Sequence, residues 1–340
     1  MLPVQTRKEV MELNYQNYIQ DIPVTEFTGA PYHANNLTVE KFKDLWVNNT
    51  RMNKERYGSF WERGIGQWHN IFKHKPCIVA GSGPSLAYNG KLLREKGEIP
   101  LISALHNYHF MVDNKIDVDF YFSIDAQEVT IEEVSEGGQN DAEFYWETTK
   151  GKKLVCFTGT SPELLKKWRG EIYFYSSIDY QQDYVKELDA IEYFPQVVNP
   201  GGSVLGAMVY AAKAYFGCPT IAYVGADFAF GYDKRFHAWD SKYDKNMGNV
   251  VRTVDIFGNK ALTWMSYFGF KRYFEDLACL TPGIYINCTE GGIFGAHPEG
   301  NIMKLIQMPL SQFLNMCNAS EDPAIIKIVS DEKAERITLY

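Results

Sequence analysis

An α/β fold is what this sequence predicts: a Rossmann-like, mostly parallel sheet with helices on both faces, plus a helical N-terminal segment. Two observations point there. Short, continuously apolar runs recur along the chain, the pattern of strands covered on both faces. Stretches with helical spacing separate those runs, and the first run ends in a glycine-rich turn, Gly81-Ser82-Gly83-Pro84-Ser85.

The elements follow in order. Residues 1–72 are polar and aromatic; Thr38 offers an N-cap to an apolar-spaced stretch through Trp46, and Trp61, Trp68 and Phe72 continue that character. Strands are expected at Cys77–Ala80, Pro100–Ala104, Asp119–Asp125, Lys153–Phe157, Glu171–Tyr175, Thr220–Gly225 and Ile284–Cys288. A helix is expected from about 203 to 216, and another over 261–278 with Trp264, Phe268, Tyr273 and Phe274. The resulting division is a helical, aromatic extension over 1–72, a Rossmann-like domain over 73–310, and a C-terminal arm or tail over 311–340.

Composition narrows the function classes. With 340 residues, 45% of them apolar, the chain can bury a full core. Its net charge is −8, with no basic stripe, so nucleic acid is not an expected partner. The six cysteines form no CxxC pair. They read as small buried hydrophobes in a reducing, cytoplasmic setting, with no metal site expected. No run approaches about 18 apolar residues and the N-terminus has no apolar signal core, so neither a membrane span nor a leader is expected.

Ligands of open parallel sheets gather at the carboxyl ends of strands, which directs attention to the polar residues there. Glycines at Gly81 and Gly83 permit a tight turn and close approach of a ligand, and N–H groups opening a helix favour a phosphate. Pro84, with the Ser82 and Ser85 hydroxyls, completes that turn; a ligand-free turn is the plainer alternative. Asn107, past the second strand, could read a base or ribose edge or simply cap a helix. Asp125 ends the third strand. Asp117 and Asp119 form a DxD that precedes the same strand and reads better as solvated loop. Asn199-Pro200-Gly201-Gly202-Ser203 launches a helix with Ser203 as N-cap, and Gly202 suits a second phosphate contact. Gly225 and Asp227 leave the sixth strand. His237 follows as a candidate general base, with Lys234 and Arg235 beside it for a leaving phosphate. His297 is the rival base, and Cys288 reads as structural.

These residues resemble a known family. Gly81-Ser82-Gly83-Pro84-Ser85-Leu86, Ser123-Ile124-Asp125, Gly225–Phe230 with His237, Val254–Asn259 and Asn287–Gly292 look like the motility accessory factor glycosyltransferases. The same fold group includes bacterial sialyltransferases that use CMP-activated sugars, and archaeal 6-hydroxymethyl-7,8-dihydropterin diphosphokinases. The resemblance implies a nucleotide held at Gly81 to Ser85, Asn107 and Ser203. It implies transfer of a nonulosonic, sialic-type sugar from a CMP-sugar donor to a hydroxyl acceptor, with His237 as base, Asp125 or Asp227 positioning, and no required cofactor. The diphosphokinase branch implies ATP and Mg²⁺ instead, with Asp125 and Asp227 near the metal. A non-enzymatic nucleotide-binding module is the third reading, with binding but no turnover.

Overall fold

A computed structural model of the chain describes residues 24–177, 187, 196–198, 200–231, 235–239, 250–297, 302 and 304–319, with side chains from residue 40 onward. Among the described residues the strands are β1 (Cys77–Ala80), β2 (Leu101–Ala104), β3 (Phe120–Ser123), β4 (Lys153–Phe157), β5 (Glu171–Ser177), β6 (Val197–Val198), β7 (Thr220–Val224), β8 (Val250–Val254), β9 (Lys260–Trp264), β10 (Ile284–Asn287) and β11 (Leu305–Gln307).

The chain forms two compact units. One is built around Phe72–Pro100 and the chain from Gly217; the other comprises Thr28–Ile71 and Leu101–Phe216. In the first unit β11, β10, β7 and β1 lie side by side, all parallel. In the second, β2, β3, β4, β5 and β6 follow one another, again parallel. This is the α/β, Rossmann-like, mostly parallel architecture expected from the apolar runs. Every residue of β1, β2, β3 and β7 is buried, which is why those strands read as continuous apolar runs rather than as alternation.

Aromatic rings fill much of each core. In the first unit the Tyr223 and Phe294 rings meet edge-on at 5.0 Å, and Phe228 packs on Phe274 at 5.3 Å. In the second, Phe120 stacks on Phe216 at 4.7 Å, and Phe60 packs on Phe174 at 4.8 Å. Truncating a fully buried ring of this kind to alanine costs about 3–5 kcal/mol.

Several local expectations are corrected. Residues 261–264 are not helical: they belong to β9, which pairs antiparallel with β8, and the helix starts at Met265 and runs to Leu280. The Asp255 side chain closes the hairpin by accepting the Phe257 and Asn259 N–H groups at 2.9 and 2.8 Å. Such a turn is invisible to apolar periodicity, which let one pattern run across both elements. Thr38 is no cap, because the helix Val24–Tyr57 already runs through it. Helix after β1 is confined to Leu86–Asn89 before a 3-10 segment, Gly90–Glu95. The helix near 203 is observed as Val204–Tyr210 followed by a wider turn, Ala211–Tyr215. Residues Leu310–Asn318 form a further helix that buries Leu310, Phe313 and Leu314. Among the described residues no helix is long and apolar enough to cross a membrane.

Candidate active site

The carboxyl ends of β1, β7 and β10 converge in the first unit. The Gly81 N–H donates to the Val224 carbonyl and the Gly83 N–H to the Gly225 carbonyl, both at 2.8 Å. These bonds extend the β1–β7 pairing into the loops, so the two turns leave the sheet together. A Cβ on Gly83 would collide with Asp227 Oδ2 and stand 2.7 Å from the Gly225 carbonyl oxygen. Gly225 has φ +63°, and a Cβ there would stand 2.5 Å from the Gly81 carbonyl oxygen. Only glycine fits either position.

Asp227 lies under this turn, 5% exposed. The Ser85 N–H donates to its Oδ1 at 3.2 Å and its Oδ2 at 3.4 Å, and the Ser85 hydroxyl donates to Oδ2 at 2.7 Å. Burial pushes the Asp227 carboxyl up to about 7 from 3.8, against the opposing pull of the Ser85 hydrogen bonds. The sequence suggested that N–H groups of this turn would cradle a phosphate. The structure spends those of Gly81 and Gly83 on β7 and its loop, and that of Ser85 on a carboxylate. Ser82 and Gly83 are the half-exposed members of the turn.

Two neighbouring segments complete the cluster. The Ala238 N–H donates to the Ser82 carbonyl at 2.9 Å, which seats His237, half-buried, beside the glycine turn. His237 Nε2 meets the Tyr267 hydroxyl at 3.2 Å. From the other side, the Ile293 N–H donates to the Asp227 carbonyl at 2.8 Å. Phe228 and Glu290, which are not glycines, adopt left-handed φ values of 50° and 60°. Backbone strain of this kind persists only where surrounding structure over-determines it, and it clusters at functional sites. A half-exposed imidazole on a fixed glycine turn can remove a proton from a hydroxyl brought to that surface.

With that geometry in hand, the comparisons decide the family. Residues 54–233 match the family described as MptE-like, 6-hydroxymethylpterin diphosphokinase MptE-like. The chain belongs to that family. The matched stretch includes Gly81–Ser85, Asn107, Asp125, Ser203 and Asp227, and ends before His237. No curated protein matches the chain. Among solved structures, the MAf glycosyltransferase from Magnetospirillum magneticum AMB-1 is similar, with a TM-score of 0.54 and 14% identity over 78% of this chain and 39% of that one. The likeness is one of fold, and this chain spans well under half of that protein's length.

In this family member the remaining expected residues are spread differently. Asn107, Asp125, Gly202 and Ser203 belong to the second unit. Asn107 is fully buried, and its side-chain amide donates to Ser103 Oγ at 3.2 Å. Asp125 follows β3; the Gln127 N–H donates to its Oδ1 at 3.4 Å, and burial is the main cause of its raised pKa. Ser203 is the expected N-cap, accepting the Gly206 N–H at 3.3 Å. Asp119 holds the Leu101 N–H at 2.8 Å and Asp117 pairs with Lys152 at 3.0 Å. That DxD therefore ties the amino end of β3 to its surroundings. Arg235 donates to the Ala238 carbonyl at 2.7 Å, supporting the turn that carries His237. His297 is exposed. Cys288 is buried, as its structural reading expects. Lys234 and Asn199 lie outside the described residues.

Sequence reading passed over Asn89 and Tyr267. The Asn89 amide donates to the Cys288 and Thr289 carbonyls at 3.0 and 3.2 Å and to Glu290 Oε1 at 3.1 Å. Thr289 Oγ1 accepts the Ala226 N–H at 3.1 Å. These bonds lock the β10 loop to the β1 and β7 loops. The Asn287–Gly292 stretch stood out through the family resemblance, but nothing local in the sequence marked Asn89 as its partner.

Proposed function

We propose that this protein transfers a group from an activated nucleotide to a hydroxyl acceptor, and that the group is a sialic-type sugar carried by CMP. The observation that supports this reading best is His237, half-buried and fixed beside the Gly81–Ser85 turn by the Ala238–Ser82 hydrogen bond. In this reading the imidazole takes the acceptor's proton as the acceptor oxygen attacks the anomeric carbon. The bond to the CMP phosphate breaks, and CMP leaves with the electron pair. Ser82, the half-exposed hydroxyl of the turn, is the residue proposed to contact the donor phosphate. Asp227 holds the turn in shape from beneath. The family match and the fold likeness to a glycosyltransferase both support a transferase.

The family description favours a second reading, diphosphoryl transfer from ATP with Mg²⁺. Asp227 does not fit the metal-ligand part that reading gives it. Both of its oxygens accept hydrogen bonds from Ser85, which engage them on the glycine turn. A Mg²⁺ ligand is an ionised oxygen with lone pairs to give. No step is therefore assigned through a metal at Asp227.

The test is direct. The wild-type protein and His237→Ala are incubated with CMP-N-acetylneuraminic acid and, separately, with ATP and Mg²⁺, and nucleotide release is followed. Release of CMP by wild type, falling by about 10²-fold or more in the variant, supports sugar transfer. Release of AMP from ATP with no action on the CMP-sugar would replace it with the diphosphokinase reading.

A further inference from the structure

We propose that the turn Glu290–Gly292, after β10, is an anion site that takes a phosphoryl group of the bound nucleotide through its backbone N–H groups. The proposal rests on the reading of this site as a nucleotide's, whichever group is transferred. The turn after β1 spends the N–H groups of Gly81, Gly83 and Ser85 inside the protein. The β10 loop differs. On either side of its turn the N–H groups are spent: Thr289 donates to Asn287 Oδ1 at 3.1 Å, and Ile293 to the Asp227 carbonyl at 2.8 Å. Between them, the N–H groups of Glu290, Gly291 and Gly292 have no hydrogen-bond partner among the described residues. The turn is nonetheless fixed in place. The Gly292 carbonyl accepts the Ile256 N–H at 3.0 Å, and Glu290 Oε1 accepts the Asn89 amide at 3.1 Å and the Leu310 N–H at 3.0 Å.

Glu290 and Gly292 have left-handed φ values of 60° and 68°, and Gly291 between them does not. Backbone of alternating hand turns successive N–H groups toward one side, a concavity that binds anions. Gly292 must be glycine, since a Cβ there would stand close to the Asp227 carbonyl oxygen. Gly291 need not be: its Cβ would meet only Asp227 Oδ1 at 3.6 Å and Ser85 Cβ at 3.7 Å, ordinary contact distances. Glycine where the fold has room for alanine leaves bare backbone, the surface that a closely approaching ligand uses. Gly83 and Gly291 are both half-exposed, and each lies against one oxygen of the same Asp227 carboxyl. The turn therefore borders Gly81–Ser85, where neither the N–H nor the hydroxyl of Ser82 has a partner among the described residues. Asp227 opposes an anion there only weakly: its carboxyl accepts the Ser85 N–H and hydroxyl, and burial raises its pKa to about 7.

The test follows the Gly291 N–H by NMR in protein labelled with ¹⁵N-glycine, the signal being assigned by its loss in Gly291→Ala. Cytidine, CMP, ATP and inorganic phosphate are added separately. CMP and inorganic phosphate should move the signal, and cytidine should leave it in place. Gly291→Glu sets a carboxylate on the turn and should weaken CMP binding about tenfold or more, while Gly291→Gln, of the same size, weakens it less. CMP that raises the melting temperature without moving the Gly291 signal, or that binds Gly291→Glu as it binds wild type, would overturn the proposal and leave the sugar-transfer reading standing. A signal moved by ATP and inorganic phosphate but not by CMP would keep the anion site and sink the sugar-transfer reading. A signal unmoved by all four would overturn the anion site outright.

Discussion

The strand ends of the two units are held by different means. In the first unit the loops after β1, β7 and β10 hold one another: backbone N–H groups of the glycine turn bond the β7 loop, and Ser85 bonds a buried carboxylate. Two non-glycine residues there adopt left-handed backbone. In the second unit a helix does the holding. Asn49 of the helix Val24–Tyr57 donates to the Ala126 and Gly159 carbonyls at 3.0 and 3.1 Å, and Asn53 donates to the Thr158 and Thr160 carbonyls, each at 2.8 Å. Those amides pin the loops after β3 and β4 through neutral, fully buried bonds. The first arrangement carries two left-handed backbone residues and the buried Asp227 carboxyl; the second rests on buried amides, with the Asp125 carboxyl at the end of β3. One parallel architecture thus shows where chemistry is expected and where support suffices.

The contrast can be broken in order of expected size. His237→Ala should cost about 10²-fold or more in turnover per folded molecule, because the imidazole is the proposed base. Equal turnover in a nucleotide-release assay would contradict the account. Gly83→Ala should destabilise by about 3 kcal/mol, since its Cβ meets both Asp227 and the Gly225 carbonyl oxygen. A chemical denaturation midpoint matching wild type would show that the turn yields more readily than its packing implies. Asn53→Ala should cost about 2 kcal/mol by leaving two buried carbonyls unpaired, while nucleotide release per folded molecule stays at the wild-type level. Release that fell in step with stability would remove the distinction between site and scaffold.

A further effect depends on pH. Asp227 has a folded pKa of about 7 against an ordinary 3.8. A raised folded value means that the stability it contributes is fully present below about 3.8 and is lost as pH rises through about 7. The limiting slope is about 1.4 kcal/mol per pH unit. Asp227→Asn should flatten this part of the stability profile between pH 5 and pH 8. Parallel profiles for the two proteins would place the titration elsewhere.

Much of this was legible in the sequence, for a physical reason. Cys77–Ala80, residues 154–157 and Thr220–Val224 are buried on both faces, and full burial writes itself as mostly apolar runs. Gly81–Ser85 and Gly225–Asp227 stood out because strand ends that turn sharply need glycine. What stayed hidden was pairing over distance. Ser85 and Asp227 are separated by 142 positions and Asn53 and Thr160 by 107, and no local pattern records either bond. The β8–β9 hairpin was missed because a short strand running straight into an aromatic helix shares its apolar spacing. Tyr267 read as one more aromatic of that helix until its hydroxyl was seen on His237.

The central proposal is that this chain binds a CMP-activated sugar for transfer, and thermal melting with added nucleotide tests it most directly. CMP, UDP, GDP, ADP and ATP are compared, each with and without Mg²⁺. A ligand at about 100 times its Kd adds roughly 2.7 kcal/mol to the folded state. The account expects CMP to raise the melting temperature without metal. No shift with CMP, and a rise only with ATP or ADP and Mg²⁺, would contradict it.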